Sequence, residues 1–216
     1  MNREALLSKL EQYLESDADF RIVYKYVEKR FKDTPNLVAH NWDHARRDTL
    51  NAIVIGESED ADMSIVLPAM IMHDIGFLYG ASGPTHGTIG AQKLKEFLKD
   101  AGISLSQDKI TRIANCIRTH KGSLHNETPT TLEAKVISDA DLLDKFGPIG
   151  VYQGIRVFVE FNYDIDKIIE SLVGRHKKAV FQTPTGAALA RGQEDYPANF
   201  GRALQQAYEP YREDLS

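Results

Sequence analysis

Eight consecutive apolar residues, Ile65 to Met72 (IVLPAMIM), run without a break into His73–Asp74, and Ile75–Gly76 follow at once. A stretch this apolar belongs inside a fold, because a surface helix would carry polar residues on its outer face. It is far shorter than the ~20 residues needed to cross a bilayer. The segment is therefore expected to be a core element, yet it ends on an imidazole and a carboxylate. Either group is costly to bury unpaired. Whatever surrounds this run has to supply partners, or a cation, to its polar end.

The rest of the chain repeats every three to four residues. EALLSKLEQYLE places Leu6, Leu7, Leu10 and Leu14 on one helical face, and RIVYKYVEKRF does the same with Ile22, Val23, Tyr26, Val27 and Phe31. Asn41 is the expected N-cap of a long helix through WDHARRDTLNAIVIGE. Pro68 is tolerated early in its helix or kinks it, and Gly76 is the expected stop. HGTIGAQKLKEFLKDAG is expected to end at Gly102, and Ser106 to cap a helix with Ile110, Ile113, Ala114 and Ile117 inside. TLEAKVISDADLLDKFG follows as a further helix, whereas GVYQGIRVFVEF fits strand or helix by period alone. KGSLHNETPTT is the expected central loop. These patterns predict an all-α, single-domain helical bundle over residues 1–216. Its motif-bearing core covers roughly 36–160, with N-terminal helices at 1–33 and a C-terminal segment at 161–216 packed on it.

Composition narrows the function. With 42% hydrophobic and 26% charged residues the chain is ordinary globular material, and its net charge of −5 lacks the basic face that a nucleic-acid polymer requires. A small anionic substrate stays compatible, since a pocket can be locally positive on an acidic protein. The N-terminus is charged and amphipathic, without the apolar core of a signal peptide, and no membrane span is expected, so a cytoplasmic location is the expectation. The single cysteine, Cys116, sits in an apolar stripe and reads as buried filler.

The histidines are not spread evenly. His44 falls in the first turn of its helix, His73–Asp74 end the apolar run, and His86 opens the next helix. His120 extends the buried stripe of Ile110 and Ile117, and Asp141 lies one turn after Ile137. Several helices thus each bring an imidazole or a carboxylate to an end or an inner face. A metal ion offsets the burial of all of them together. Adjacent residues on a helix point about 100° apart, so His73 and Asp74 can grip one ion between them.

In this order and context the residues resemble the H…HD…D signature of the HD superfamily of metal-dependent phosphohydrolases. HNWDHARR is similar to that family's H-D-x-x-H-x-x-R segment, and DADLLDKFGPIG to its DADRLDALGAIG stretch. TPTGAALARGQED is similar to the T-x-x-x-x-x-L-A-x-x-R segment of small bacterial members, and the likeness covers roughly residues 36–207. It implies His44, His73, Asp74 and Asp141 as ligands of one ion. Helical period alone does not separate Asp141 from Asp139; the family's A-D-x-L step assigns Asp141, leaving Asp139 and Asp144 as supporting or capping residues. HGTIGA and IRTHKG match the positions where two-metal members carry further histidines. The resemblance thus extends to a second ion held by His86 and His120 and bridged by Asp74. His40 is left without a role, and His125 and His176 read as surface residues. The chain departs from the family where Phe77 replaces a common lysine, and where no aromatic follows Arg191.

The chemistry expected is hydrolysis of a small phosphorylated metabolite, a nucleotide foremost, by a metal-activated water. Asp74, Arg47 and Lys121 are the expected catalytic residues, the two cations neutralising phosphoryl oxygens with Arg118 as a further candidate. There is no glycine-rich phosphate loop. Ligands of oxygen and nitrogen without thiolate suit Mn, Mg, Co, Ni or Fe. The competing readings are an HD-fold di-iron oxygenase and a non-catalytic metal-binding regulatory module. A homodimer is compatible with the sequence.

Overall fold

The computed structural model describes residues 3–122, 128–174 and 179–212, and among them the secondary structure is helical throughout. Two N-terminal helices, α1 (Arg3–Ser16) and α2 (Ala18–Lys32), are separated by Asp17, whose carboxylate accepts the Phe20 N–H and starts α2. The long α3 (Trp42–Ser58) starts where Asn41 caps it, accepting the His44 N–H at 3.2 Å. The apolar run forms α4 (Met63–Ile71), and a 3₁₀ segment (Ile75–Tyr79) follows it. Next come α5 (His86–Asp100), α6 (Gln107–Thr119, capped by Ser106) and α7 (Leu132–Leu143, capped by Thr131). The ambiguous GVYQGIRVFVEF segment is helical, as α8 (Gly147–Glu160). The chain closes with α9 (Ile165–Gly174), α10 (Pro184–Ala190) and α11 (Tyr196–Tyr208).

The short α4 is the axis of this arrangement. Helices α2, α3, α6 and α7 all pack against it, and every residue from Ile65 to Met72 is buried. A helix apolar on all sides is stable only when surrounded, and each buried aliphatic side chain there contributes about 1.5–3 kcal/mol. Helices α8, α9 and α11 pack on one another, while α10 lies on α7. Cys116 is buried in the core and its thiol is pushed up to about 12 by that burial, which suits filler rather than a nucleophile. None of the described helices is long and apolar enough to cross a membrane.

One sequence expectation is corrected. Helix α4 stops at Ile71, before His73, so the His–Asp pair sits in the turn that links α4 to the 3₁₀ segment. The C-cap of α4 is Met72; Gly76 lies within the 3₁₀ segment, which ends at Gly80 in the left-handed region at φ 74°. Gly76 serves close approach instead: a Cβ there would stand 2.1 Å from the His86 carbonyl oxygen, so its absence lets α5 come against the turn.

Candidate metal centre

Five elements deliver the site. The first turn of α3 supplies His44, the α4 turn His73 and Asp74, and the start of α5 His86. The end of α6 brings His120, and α7 brings Asp141. All six side chains are buried.

Each imidazole is oriented by what its Nδ1 touches. His44 Nδ1 donates to Asp144 Oδ2 at 2.8 Å. The Nδ1 atoms of His73, His86 and His120 donate to the carbonyl oxygens of Met70, Gly83 and Ile117 at 2.7, 2.7 and 2.6 Å. A donating Nδ1–H leaves Nε2 as a lone pair. All four Nε2 atoms then converge on the Asp74 carboxylate. Oδ2 of Asp74 lies 3.4 Å from His44 Nε2 and 3.2 Å from His73 Nε2. Its Oδ1 lies 3.1 Å from His86 Nε2 and 3.7 Å from His120 Nε2. Asp141 Oδ1 is 3.8 Å from His44 Nε2.

This donor set fits a divalent ion. Adjacent ligand atoms on one ion, bound at about 2.1 Å, lie roughly 3 Å apart. The Nε2 atoms of His86 and His120 face each other at 2.9 Å with both Nδ1 hydrogens already committed, so only a cation or a shared proton fits between them. His73 Nε2 and Asp74 Oδ2 are buried without a hydrogen-bond partner among the described residues. The electrostatics follow from the crowding. Without an ion the crowding is met by protons: burial alone would raise the Asp74 carboxyl, but His73, His44 and His86 acting as donors hold it well below the carboxylate range, while Asp48 and Asp74, against burial, push the His44 and His73 imidazoles up. His120 is held well below the usual imidazole range by burial and by His86 and His73. It therefore stays neutral, which is the ligand form.

Supporting residues surround the cluster. Arg47 clamps Asp144 with two hydrogen bonds, Nε to Oδ1 at 2.8 Å and a terminal nitrogen to Oδ2 at 2.7 Å. It also donates to Gln153 and pairs with Asp43. Arg47 is therefore turned onto the group that orients His44. Lys121 Nζ donates to the Gly83 carbonyl at 2.6 Å and lines the cavity over the site, while Arg118 lies on the surface beside Asn115. Asp139 faces away, accepting from the Gln182 and Thr183 amides and the Thr183 hydroxyl at 2.6–2.8 Å, and so fastens the start of α10. This is the structural content of the TPTGAALARGQED segment. Asp141 carries a partner the sequence reading did not name: Lys145, one turn on, bonds it at 2.5 Å.

The cavity above the cluster has a volume of about 320 Å³. Its walls include Lys121, Lys145 and Lys167 for charge, and Phe161 and Tyr163 for apolar surface. His40, in the bend before α3, stands in the wall with Nδ1 bonded to Glu160, whose carboxylate also accepts the Ala39 and His40 amides. Phe77 stacks between His40 and His86, with ring centroids at 4.2 and 4.3 Å. The place of the family's lysine is thus taken by a ring that braces two histidines. Sequence reasoning missed Asp48, Lys145 and Glu160. The first two lie one turn from named ligands and were open to the same spacing argument. Glu160 meets His40 across 120 residues, and no local pattern announces that. His125 and His176 lie outside the described residues.

An all-α fold with a buried, convergent His/Asp cluster able to hold a divalent metal defines the class. Residues 41–145 match the HD domain family, and the chain carries an HD domain over that span. It is 26% identical to YpgQ of Bacillus subtilis (strain 168) over 174 residues, 77% of this chain and 83% of YpgQ. A crystal structure of a predicted HD superfamily hydrolase from an uncultured Thermotogales bacterium is 25% identical, with a TM-score of 0.57 over 98% of this chain and all of that one. A protein from Lactobacillus plantarum superposes with a TM-score of 0.73 over 90% of this chain and 98% of its own, at 20% identity. YpgQ in complex with ADP superposes at 0.61 over 88% and 95%, also at 20% identity.

Proposed function

We propose that this protein is a metal-dependent phosphohydrolase acting on a small phosphorylated metabolite, foremost a nucleotide. The observation that carries the reading is the alignment of four Nε2 lone pairs on the two oxygens of Asp74, at the floor of a cavity walled by lysines. His44, His73, Asp74 and Asp141 would hold one ion. His86 and His120, with the other oxygen of Asp74, would hold a second. Bound divalent ions supply a low-pKa water as nucleophile and a Lewis acid for phosphoryl oxygens. The protein's own share is orientation and charge. Asp144 fixes the His44 ring; Lys121 and Lys145 place positive charge beside the floor; Phe161 and Tyr163 offer an apolar wall to a base. His40, held by Glu160, stands in the wall of the same cavity. That YpgQ, a relative of the same fold, has been crystallised with ADP favours a nucleotide.

The test is a panel of nucleotides and phosphomonoesters assayed on EDTA-stripped protein, with Mn, Mg, Co, Ni or Fe restored one at a time. Turnover that returns with one of these ions, and falls by at least about 100-fold in Asp74→Asn, is the expected result. Turnover that survives stripping would overturn the reading. The same six ligands also suit a di-iron oxygenase, and the close approach of His86 to His120 favours keeping that alternative. Two irons per chain with oxygen-dependent turnover and no phosphate release would decide for it. Metal uptake without turnover on either panel would mark a regulatory module.

A further inference from the structure

Asp48 lies on α3 one turn after His44, and its side chain is fully buried. Neither of its carboxylate oxygens has a hydrogen-bond partner among the described residues. A carboxylate in that state has to lose its charge or face a cation. Its Oδ2 is 3.3 Å from His44 Nδ1 and 3.7 Å from His73 Nε2. The His44 Nδ1–H, however, is given to Asp144, and His73 donates its own Nδ1–H to Met70. His73 Nε2 and Asp48 thus meet as two acceptors with no donor between them. One ligand atom each from His44, Asp48, His73 and Asp141 falls within 4.8 Å of all the others.

We propose, on the metal reading above, that Asp48 is a further ligand of the inner ion. The inner position then draws on His44, Asp48, His73, Asp74 and Asp141, and the outer one on Asp74, His86 and His120. Asp48 and His73 stay out of the cavity wall, whereas His44, Asp74, Asp141, His86 and His120 line it. Asp48 would thus join His73 in holding the inner ion from the side turned away from the cavity, while His44, Asp74 and Asp141 would hold it from the cavity side. The charges agree with this division. Asp48, Asp74 and Asp141 bring three negative charges, and Lys145 offsets one of them through Asp141. One divalent ion neutralises the remainder. A second would leave the cavity floor positive, which favours a phosphate.

The test uses the full chain, stripped with EDTA and titrated calorimetrically with Mn²⁺, as wild type, Asp48→Asn and Asp48→Val. The tighter Mn²⁺ event is expected to weaken roughly tenfold or more in both variants. In EDTA, the thermal midpoint of Asp48→Val is expected to rise, because an unpaired buried carboxylate has gone. Wild-type Mn²⁺ affinity and stoichiometry in both variants would overturn the assignment. So would a fall in metal-free stability in both, which would make Asp48 a structural acid. A wild type that takes up no Mn²⁺, Co²⁺, Ni²⁺ or Fe²⁺ would overturn the metal reading itself, a result the variants could not imitate.

Discussion

Replacing Arg47 with alanine separates two roles for that residue. The family pattern and its position one turn after His44 make it a cation for substrate, whereas its bonds make it the clamp on Asp144. The Asp144 side chain is 1% exposed and that of Arg47 21%. Removing one partner of a buried pair costs about 3–5 kcal/mol, and the partly open guanidinium puts this case near 3 kcal/mol. For a chain of this size that corresponds to a fall in Tm of roughly 6–12 °C. Asp144 would keep only His44 as a partner, so the ring loses its orienting acceptor geometry and metal affinity should fall roughly tenfold or more. Equilibrium unfolding in urea, with EDTA present, reads the first effect; Mn²⁺ calorimetry reads the second. Arg47→Lys retains the charge without the two-pronged contact and should recover only part of each. In a double-mutant cycle with Asp144→Asn the two losses should be strongly non-additive. An unchanged unfolding midpoint with KM raised severalfold would refute this reasoning and return Arg47 to the substrate.

Further outcomes test the supporting shell. Gly76→Ala pushes a methyl group into the His86 carbonyl and should destabilise by about 1–3 kcal/mol, more than Gly80→Ala does through space alone, as read from urea midpoints. Thr183→Val removes one hydrogen bond to the buried Asp139 carboxylate and should lower stability by about 1.5–3 kcal/mol. Burial would raise the Glu160 carboxyl, but His40 and the Ala39 and His40 amides hold it below its usual range. A depressed carboxyl stabilises above its unfolded pKa and loses that contribution as pH falls through the folded value. The stability gap between wild type and Glu160→Gln should therefore be full at pH 7 and close below about pH 4.3. A gap that stays constant to pH 3 would contradict it.

How far the chain could be read varied with the range of the interaction. Helix starts were legible because their caps are local: Asn41 and Ser106 each sit beside the amide they accept. The Gly102 stop was legible for the same reason, at φ 77°. The end of α4 was not. The apolar run continues through Met72, so its period gives no sign that the helix turns before His73. Gly76 looked like a stop, though what it accommodates is the His86 carbonyl from another helix. The α8 segment was ambiguous because Val151, Ile155, Val157 and Val159 suit either period, and packing against α9 and α11 decides it. For the metal cluster, helix ends and inner faces showed that His44, His73, Asp74, His86, His120 and Asp141 needed partners, and the fold brings them to one another.

The residues missed show what such a pattern leaves out. Spacing marks the groups that point inward, but a neighbour's hydrogen bond decides which inward atom is available. His44 and Asp48 share a face of α3, yet a reading of that face cannot tell whether Asp48 bonds the imidazole or a cation. Asp144 resolves the question from α7, 100 residues away, by accepting the Nδ1–H at 2.8 Å. With that proton committed, His44 presents Nε2 to the floor of the cavity, and Asp48 is left with two oxygens and no hydrogen-bond donor among the described residues. Arg47 in turn commits Asp144 by holding both of its oxygens. Arg47, Asp144 and His44 thus form a chain of donors and acceptors that runs to the floor of the cavity. The cation proposed at its end rests on that order, and not on any count of acidic residues.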